Sequence, residues 1–151
     1  MVSYIVVTNR TFSLDEAHTL LPVLESLLRR GMDAKKRVEE IEGEFQKLSR
    51  HIFLTGGAEV DVVKLAKRRA ESDKGLQQIK DSLAEIEATG AQVKDMDTGL
   101  LDFPCDVNGE IILLCWKLGE EKITHWHGLE EGFAGRKPID ERIARARGKV
   151  N

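Results

Sequence analysis

Residues 115–136 read CWKLGEEKITHWHGLEEGFAGR and hold two Trp, two His and one Cys within their first thirteen positions. A His-x-His pair on a strand projects two imidazoles to the same side, the spacing neighbouring metal ligands need. His125 and His127 form that pair, and His18 and Cys105 are placed by the register argued below on the same face. Three nitrogen donors and one sulfur suit a divalent transition metal such as zinc. The competing reading is a histidine pair packed and hydrogen-bonded within a core. Asp102, Glu120, Glu130, Glu131 and Arg136 bring charge to the same region, and Gly128, Gly132 and Gly135 let the backbone bend around a small ligand. Arg136 is a candidate for a small anionic ligand, against the alternative that it pairs with a carboxylate while Phe133 fills the core. GFAGR lacks the spacing and the Lys-Ser or Lys-Thr ending of a phosphate loop. Cys115 opposite Asp102 is a poor nucleophile, because a carboxylate raises a neighbouring thiol pKa, and an apolar face disfavours a Cys105 thiolate as well. No catalytic residue follows from these types and spacings.

Two helices and a sheet must position those groups. Ser13-Leu-Asp-Glu16 is a capping box and starts the first helix, with Pro22 predicting a kink near Leu20 and Leu21 rather than an end. Ala34, Val38, Ile41, Phe45, Leu48 and Ile52 recur at steps of four and three, an a/d seam. Thr55-Gly-Gly57 stops this helix, and a second is predicted over about 59–88 with Leu76, Ile79, Leu83 and Ile86 on its seam and Gly90 as a left-handed stop. Helices joined this closely pack antiparallel, which sets residue 88 beside about residue 24.

Leu100–Val107 and Glu110–Lys117 flank Asn108-Gly109, a two-residue hairpin signal that puts Val107 opposite Glu110. Leu101, Phe103, Cys105, Val107, Ile112, Leu114 and Trp116 then share a core face. The other face carries Asp102 opposite Cys115, with Pro104, Asp106, Ile111 and Leu113, and reads as mixed and partly exposed. A turn at Leu118-Gly-Glu-Glu121 with a two- or four-residue loop sets Ile123 opposite Trp116, which aims His125 and His127 at the helices and Trp126 away; an irregular loop with a bulge reverses that.

Composition limits the alternatives. A chain of 151 residues with 41% hydrophobic and 32% charged residues fits one soluble domain with its own core. The net charge is −3, with an excess of four positive charges in the last sixteen residues; so narrow a basic segment argues against nucleic-acid binding. The first ten residues hold four consecutive apolar residues, too few for a signal peptide or membrane span, and the two cysteines fit a reducing compartment, so a cytoplasmic protein is expected.

Phe12-Ser-Leu-Asp-Glu-Ala17, Leu20-Leu-Pro22, Gln92-Val-Lys-Asp95, Gly99-Leu-Leu-Asp-Phe-Pro104, Leu114-Cys-Trp-Lys-Leu-Gly-Glu120, Trp126-His127 and Gly132-Phe-Ala-Gly-Arg136 together resemble a bacterial family in the domain-of-unknown-function series, number 2203. The resemblance runs from Phe12 to about Ile139 and brings no agreed activity. It implies weight on Asp102, Pro104, Trp116, Glu120, Trp126, His127 and Arg136, and none on His18 or His125. It therefore favours a polar cluster of Asp102, Glu120, Trp126, His127 and Arg136. The resemblance also implies an acidic residue directly after Trp-His; Gly128 stands there, so that role is either lost or moved to Glu130.

The expected fold is α+β: a long helical hairpin (12–90), an antiparallel sheet of three to four strands with a glycine-rich bend (91–136), and a short basic C-terminal helix or tail (137–151). Gln92–Asp95 and residues 3–8 are candidates for further strands. Two functions fit. One is a small-ligand or divalent-metal-binding module, with its site between the sheet and the start of helix one and catalysis undecided. The other is an interaction protein whose coiled-coil-like hairpin meets a second copy or a protein partner.

Overall fold

The computed structural model describes residues 10–57 and 59–146. Helix α1 is Leu14–Thr55 and opens on the predicted capping box: Glu16 N donates to Ser13 Oγ (3.1 Å) and Ser13 N to Glu16 Oε1 (2.8 Å). Pro22 lies inside the helix and does not end it. Gly56, at φ 77°, supplies the left-handed cap that lets the chain reverse. Helix α2, Val62–Ala88, begins a little later than the sequence predicts, because Asp61 accepts from Lys64 N and is the cap that orders the first turn. Gly90 follows at φ 101°.

The hairpin register is as expected. A Cβ on Gly31 would meet Ser82 Cβ at 3.2 Å, and one on Gly75 would meet Val38 Cγ2 at 2.7 Å. The seam on α2 keeps the predicted Ile86 and otherwise differs from the apolar one predicted. Ser72, Gly75, Ser82 and Ile86 are the buried positions, whereas Leu76 is 46% exposed. The helices meet over small residues, which bring the backbones close and leave no room for a leucine at that contact.

Five strands form one antiparallel sheet in sequence order: β1 Gln92–Asp95, β2 Leu100–Val107, β3 Glu110–Lys117, β4 His125–His127 and β5 Lys137–Pro138. The Asn-Gly hairpin has the predicted register, Val107 opposite Glu110 and Asp102 opposite Cys115, with Asn108 at φ 53° and Gly109 at φ 92°. Leu101, Phe103, Cys105, Val107, Ile112, Leu114 and Trp116 all enter the core that the sheet shares with the start of α1 and the end of α2. Phe12 meets Phe103 edge-on with ring centroids 5.3 Å apart. Helix α3, Glu141–Ala144, adds Ile143 to the same core, in a C-terminal helix of only four residues. The strand expected over residues 3–8 and the end of the basic tail lie outside the described residues. No helix among the described residues is long and apolar enough to cross a membrane.

Candidate metal centre on the outer face of the sheet

The turn after β3 departs from the expected parity. Residues 118–124 make a seven-residue connection rather than a tight loop. Gly119 takes φ 106°, Leu118 N donates to Gly99 O, and Ile123 N donates to His18 Nε2 (2.9 Å). Ile123 is buried in the core at this bond, and the strand alternation is interrupted before β4 begins. Strand β4 then pairs Leu113 with His127, Leu114 with Trp126 and Cys115 with His125. Every side chain of β4 is therefore on the face opposite to the one predicted. The two histidines share the outer face with Asp102 and Cys115, and Trp126 packs against the core beneath the cations of Lys137 (4.7 Å) and Arg142 (5.8 Å).

The set His18, His125, His127 and Cys105 is accordingly not brought together. His18 and Cys105 belong to the helix side of the sheet, and His18 has committed Nε2 to a backbone amide. His125 is on the outer face but lies 2.8 Å from its neighbour's hydroxyl, Thr124 Oγ1. The donors that do converge lie on the reverse side of the sheet rather than between it and the start of α1.

On that side, Asp102, Cys115 and His127 are all buried and offer three donor atoms within 4.8 Å of one another. His127 reaches across β3 so that its Nε2 is 3.1 Å from Asp102 Oδ2, with the two side chains only 4% and 2% exposed. Its other nitrogen, Nδ1, lies 2.9 Å from Gly128 O. A carbonyl oxygen only accepts, so Nδ1 carries a hydrogen and the tautomer is fixed. Nε2 is thereby aimed at the carboxylate with one proton, or one cation, between them. A backbone carbonyl on the far nitrogen is the arrangement that orients metal-ligating imidazoles in general.

Electrostatics follow from burial. Desolvation pushes the Asp102 carboxyl above its ordinary range, against the opposing pull of His127, Lys94 and the Cys115 thiol. Cys115 is pushed up to about 11 by burial and then by the Asp102 charge, with Arg136 acting the other way. Cys105 reaches about 11 too, through burial and then Asp106 and Glu16. Burial thus keeps both thiols protonated at neutral pH, which disfavours either as a free nucleophile. A bound divalent cation changes this, since a coordinating thiol loses its proton outright.

The outer face was expected to be partly exposed, yet Asp102, Leu113 and Cys115 are buried. The cover is the chain leaving β4. Gly128 N donates to Glu131 Oε1 (2.8 Å), Glu131 N donates to Gly128 O (3.1 Å), and Lys137 Nζ holds both oxygens of Glu131 at 2.7 and 2.9 Å. Hydrogen bonding to Lys137, then to Gly128 N, holds the Glu131 carboxyl below its usual range. A Cβ at 128 would come 3.1 Å from Glu131 Oε1, so the glycine makes room for that carboxylate. Glu131, although also exposed, therefore lines the cavity with His127, whereas Glu130, the residue favoured from sequence, does not. Phe133 and Arg136 close the bend: the guanidinium carbon of Arg136 sits 4.5 Å from the Phe133 ring centroid, while Nη2 reaches Glu120 Oε1 (3.3 Å) and Oε2 (3.1 Å).

Of the polar cluster expected from the resemblance, Asp102 and His127 meet directly. Glu120 and Arg136 form an ion pair at its edge that ties the cover to the loop after β3, where Glu120 Oε1 also accepts from Lys117 N (2.8 Å). Trp126 stands on the other face. Sequence reasoning missed Cys115 as a donor, having weighed it only as a nucleophile, and missed Lys94. A cavity of about 160 Å³ lies between cover and sheet, lined by Lys94, Asp102, Cys115, His127 and Glu131 together with apolar side chains.

No curated protein and no solved structure matches the chain significantly. Residues 10–139, which include every group of this centre, match the family model described as uncharacterized conserved protein DUF2203, and the chain belongs to that family.

Proposed function

We propose that the protein is a divalent-metal-binding module whose ligands are Asp102, Cys115 and His127. The observation that carries this is the buried convergence of one nitrogen, one oxygen and one sulfur donor within 4.8 Å, with the far nitrogen of the imidazole already held by Gly128 O. Mixed N, O and S donors suit zinc or another late first-row ion. Three protein ligands are the number found in centres that keep a position open. The test is elemental analysis of untagged protein, chelated and then reloaded with zinc or cobalt(II). About one equivalent per chain is expected, lost in His127→Ala and in Cys115→Ser, with a thiolate-to-cobalt charge-transfer band that Cys115→Ser abolishes. Circular dichroism of each variant separates lost binding from lost folding. No uptake by the folded wild type, or equal uptake by a folded Cys115→Ser, refutes the proposal.

One observation favours a second reading, interaction through the hairpin. Phe53, Leu54, Val62 and Val63 are exposed around its turn, beside an open groove lined in part by Phe45, Leu48 and Leu65. Sedimentation across a concentration range tests the self-associating form, and a strict monomer counts against it.

A further inference from the structure

We propose that the cavity beside this centre takes a small aliphatic monocarboxylate, its carboxylate shared between the open metal position and the ammonium of Lys94. This rests on the metal reading above and adds the class of ligand. Lys94 is the residue around which the β1–β2 register shifts, between Val93 and Asp95, and it lines the cavity together with all three donors. Such an irregularity re-aims a side chain relative to its strand. Lys94 is exposed, no ion pair or side-chain hydrogen bond among the described residues engages it, and its charge acts on Asp102.

Charge selects the ligand. The carboxylate of Asp102 and the thiolate of Cys115 together cancel a divalent ion, and His127 ligates as a neutral imidazole. Glu131 also lines the space, but both its oxygens are held by Lys137 and one by Gly128 N, so its charge is already matched. Lys94, an exposed ammonium that lines the cavity and pairs with no described side chain, remains as the positive charge on offer, and it favours a monoanion. Arg136, the nearest guanidinium in sequence, is engaged by Glu120 and does not line the cavity. A phosphate dianion would therefore lack the multiple donors it requires. Leu100, Leu113, Leu129 and Phe133 form the remaining wall and suit a short hydrocarbon tail. A volume of about 160 Å³ corresponds to roughly five waters, room for an acid of a few carbons.

The test titrates the cobalt-loaded full chain with butyrate and follows the visible cobalt spectrum, with butyramide as a neutral probe of the same shape and inorganic phosphate as a second anion. Expected are a saturable change with butyrate, none with butyramide, and weaker binding of phosphate. In protein fully loaded with cobalt, Lys94→Met should weaken butyrate about tenfold, consistent with loss of one charge-assisted contact. Bound cobalt whose spectrum ignores butyrate, responds equally to butyramide, prefers phosphate, or shows the same butyrate affinity in Lys94→Met overturns the ligand assignment and leaves the metal centre standing. Failure to bind cobalt at all overturns both.

Discussion

The bond between His127 and Asp102 makes a quantitative demand on stability that needs no metal. Both side chains are almost wholly buried at 3.1 Å. In chelator, His127→Leu removes the partner of a buried carboxyl group and should cost about 3–5 kcal/mol, the usual loss when one half of a buried pair is deleted. Asp102→Val leaves Nε2 without its partner but keeps the bond from Nδ1 to Gly128 O, so about 1–3 kcal/mol is expected. The double variant puts apolar groups on both sides of the contact, against Leu113 and beneath the cover, and should lie within about 1 kcal/mol of wild type. The coupling from the cycle is then about 3 kcal/mol or more. Equilibrium unfolding in urea, with all four proteins in chelator at neutral pH, measures it directly. Single costs that add in the double variant to within about 0.5 kcal/mol would refute the pairing and with it the geometry on which the proposed metal site depends.

Further expectations follow from other contacts. Cys105 titrates near 11 when folded, against 9.0 as its ordinary value. A raised folded pKa contributes stability that is intact below the unfolded value, so stability should fall between about pH 9 and 11, by about 2–3 kcal/mol from this thiol. Urea midpoints across that range, compared with Cys105→Ala, test it; an unchanged slope in the variant contradicts the assignment. Both buried thiols should resist alkylation at pH 8 in the native chain and react once it is unfolded in urea. Gly75→Ala should destabilise by about 1–3 kcal/mol, because its Cβ would meet Val38 Cγ2 at 2.7 Å, while Gly43→Ala, with nothing within 4 Å, should stabilise by about 0.5–1 kcal/mol. Thermal melts of the two variants must move in opposite directions. Ser13→Ala, which breaks the capping box, should cost about 1 kcal/mol in the same assay.

Local chemistry explains which elements could be read from sequence. The capping box, the Asn-Gly turn and the alternation along β2 and β3 are short-range signals, and each element appears where those signals place it. Gln92–Asp95 forms the suggested extra strand, and Lys137–Pro138 supplies a fifth that two residues were too few to announce. The parity of β4 was not readable. It depends on the number of residues in the loop after β3, and that loop makes a contact distant in sequence, Ile123 N to His18 Nε2, which no local signal announces. A histidine weighed as a ligand instead holds the loop after which β4 begins, and the other histidines lie on the far side. The polar α2 seam was obscured for a related reason: an apolar repeat finds leucines, whereas close helix contact selected Ser72, Gly75 and Ser82.

The reversed parity also explains why the outer face is polar yet buried. A sheet packed on helices through one side can leave the other to solvent, and Asp102 and Cys115 would then be ordinary surface residues. Here the chain after His127 folds back over that side and is anchored at two points, Glu131 to Lys137 and Arg136 to Glu120. Burial by this cover raises the pKa of Asp102 and Cys115 and makes the His127 bond costly to lose. The Arg136 anchor is the more shielded of the two ion pairs, with side chains 15% and 27% exposed, so it should govern access to the cavity. Replacing Arg136 with Met should therefore speed exchange of the Cys115 region and its alkylation far more than that of Cys105, which the helical layer protects from the opposite side. Equal acceleration at both cysteines would mean that Arg136 stabilises the whole fold rather than the cover, and hydrogen exchange read peptide by peptide distinguishes the two.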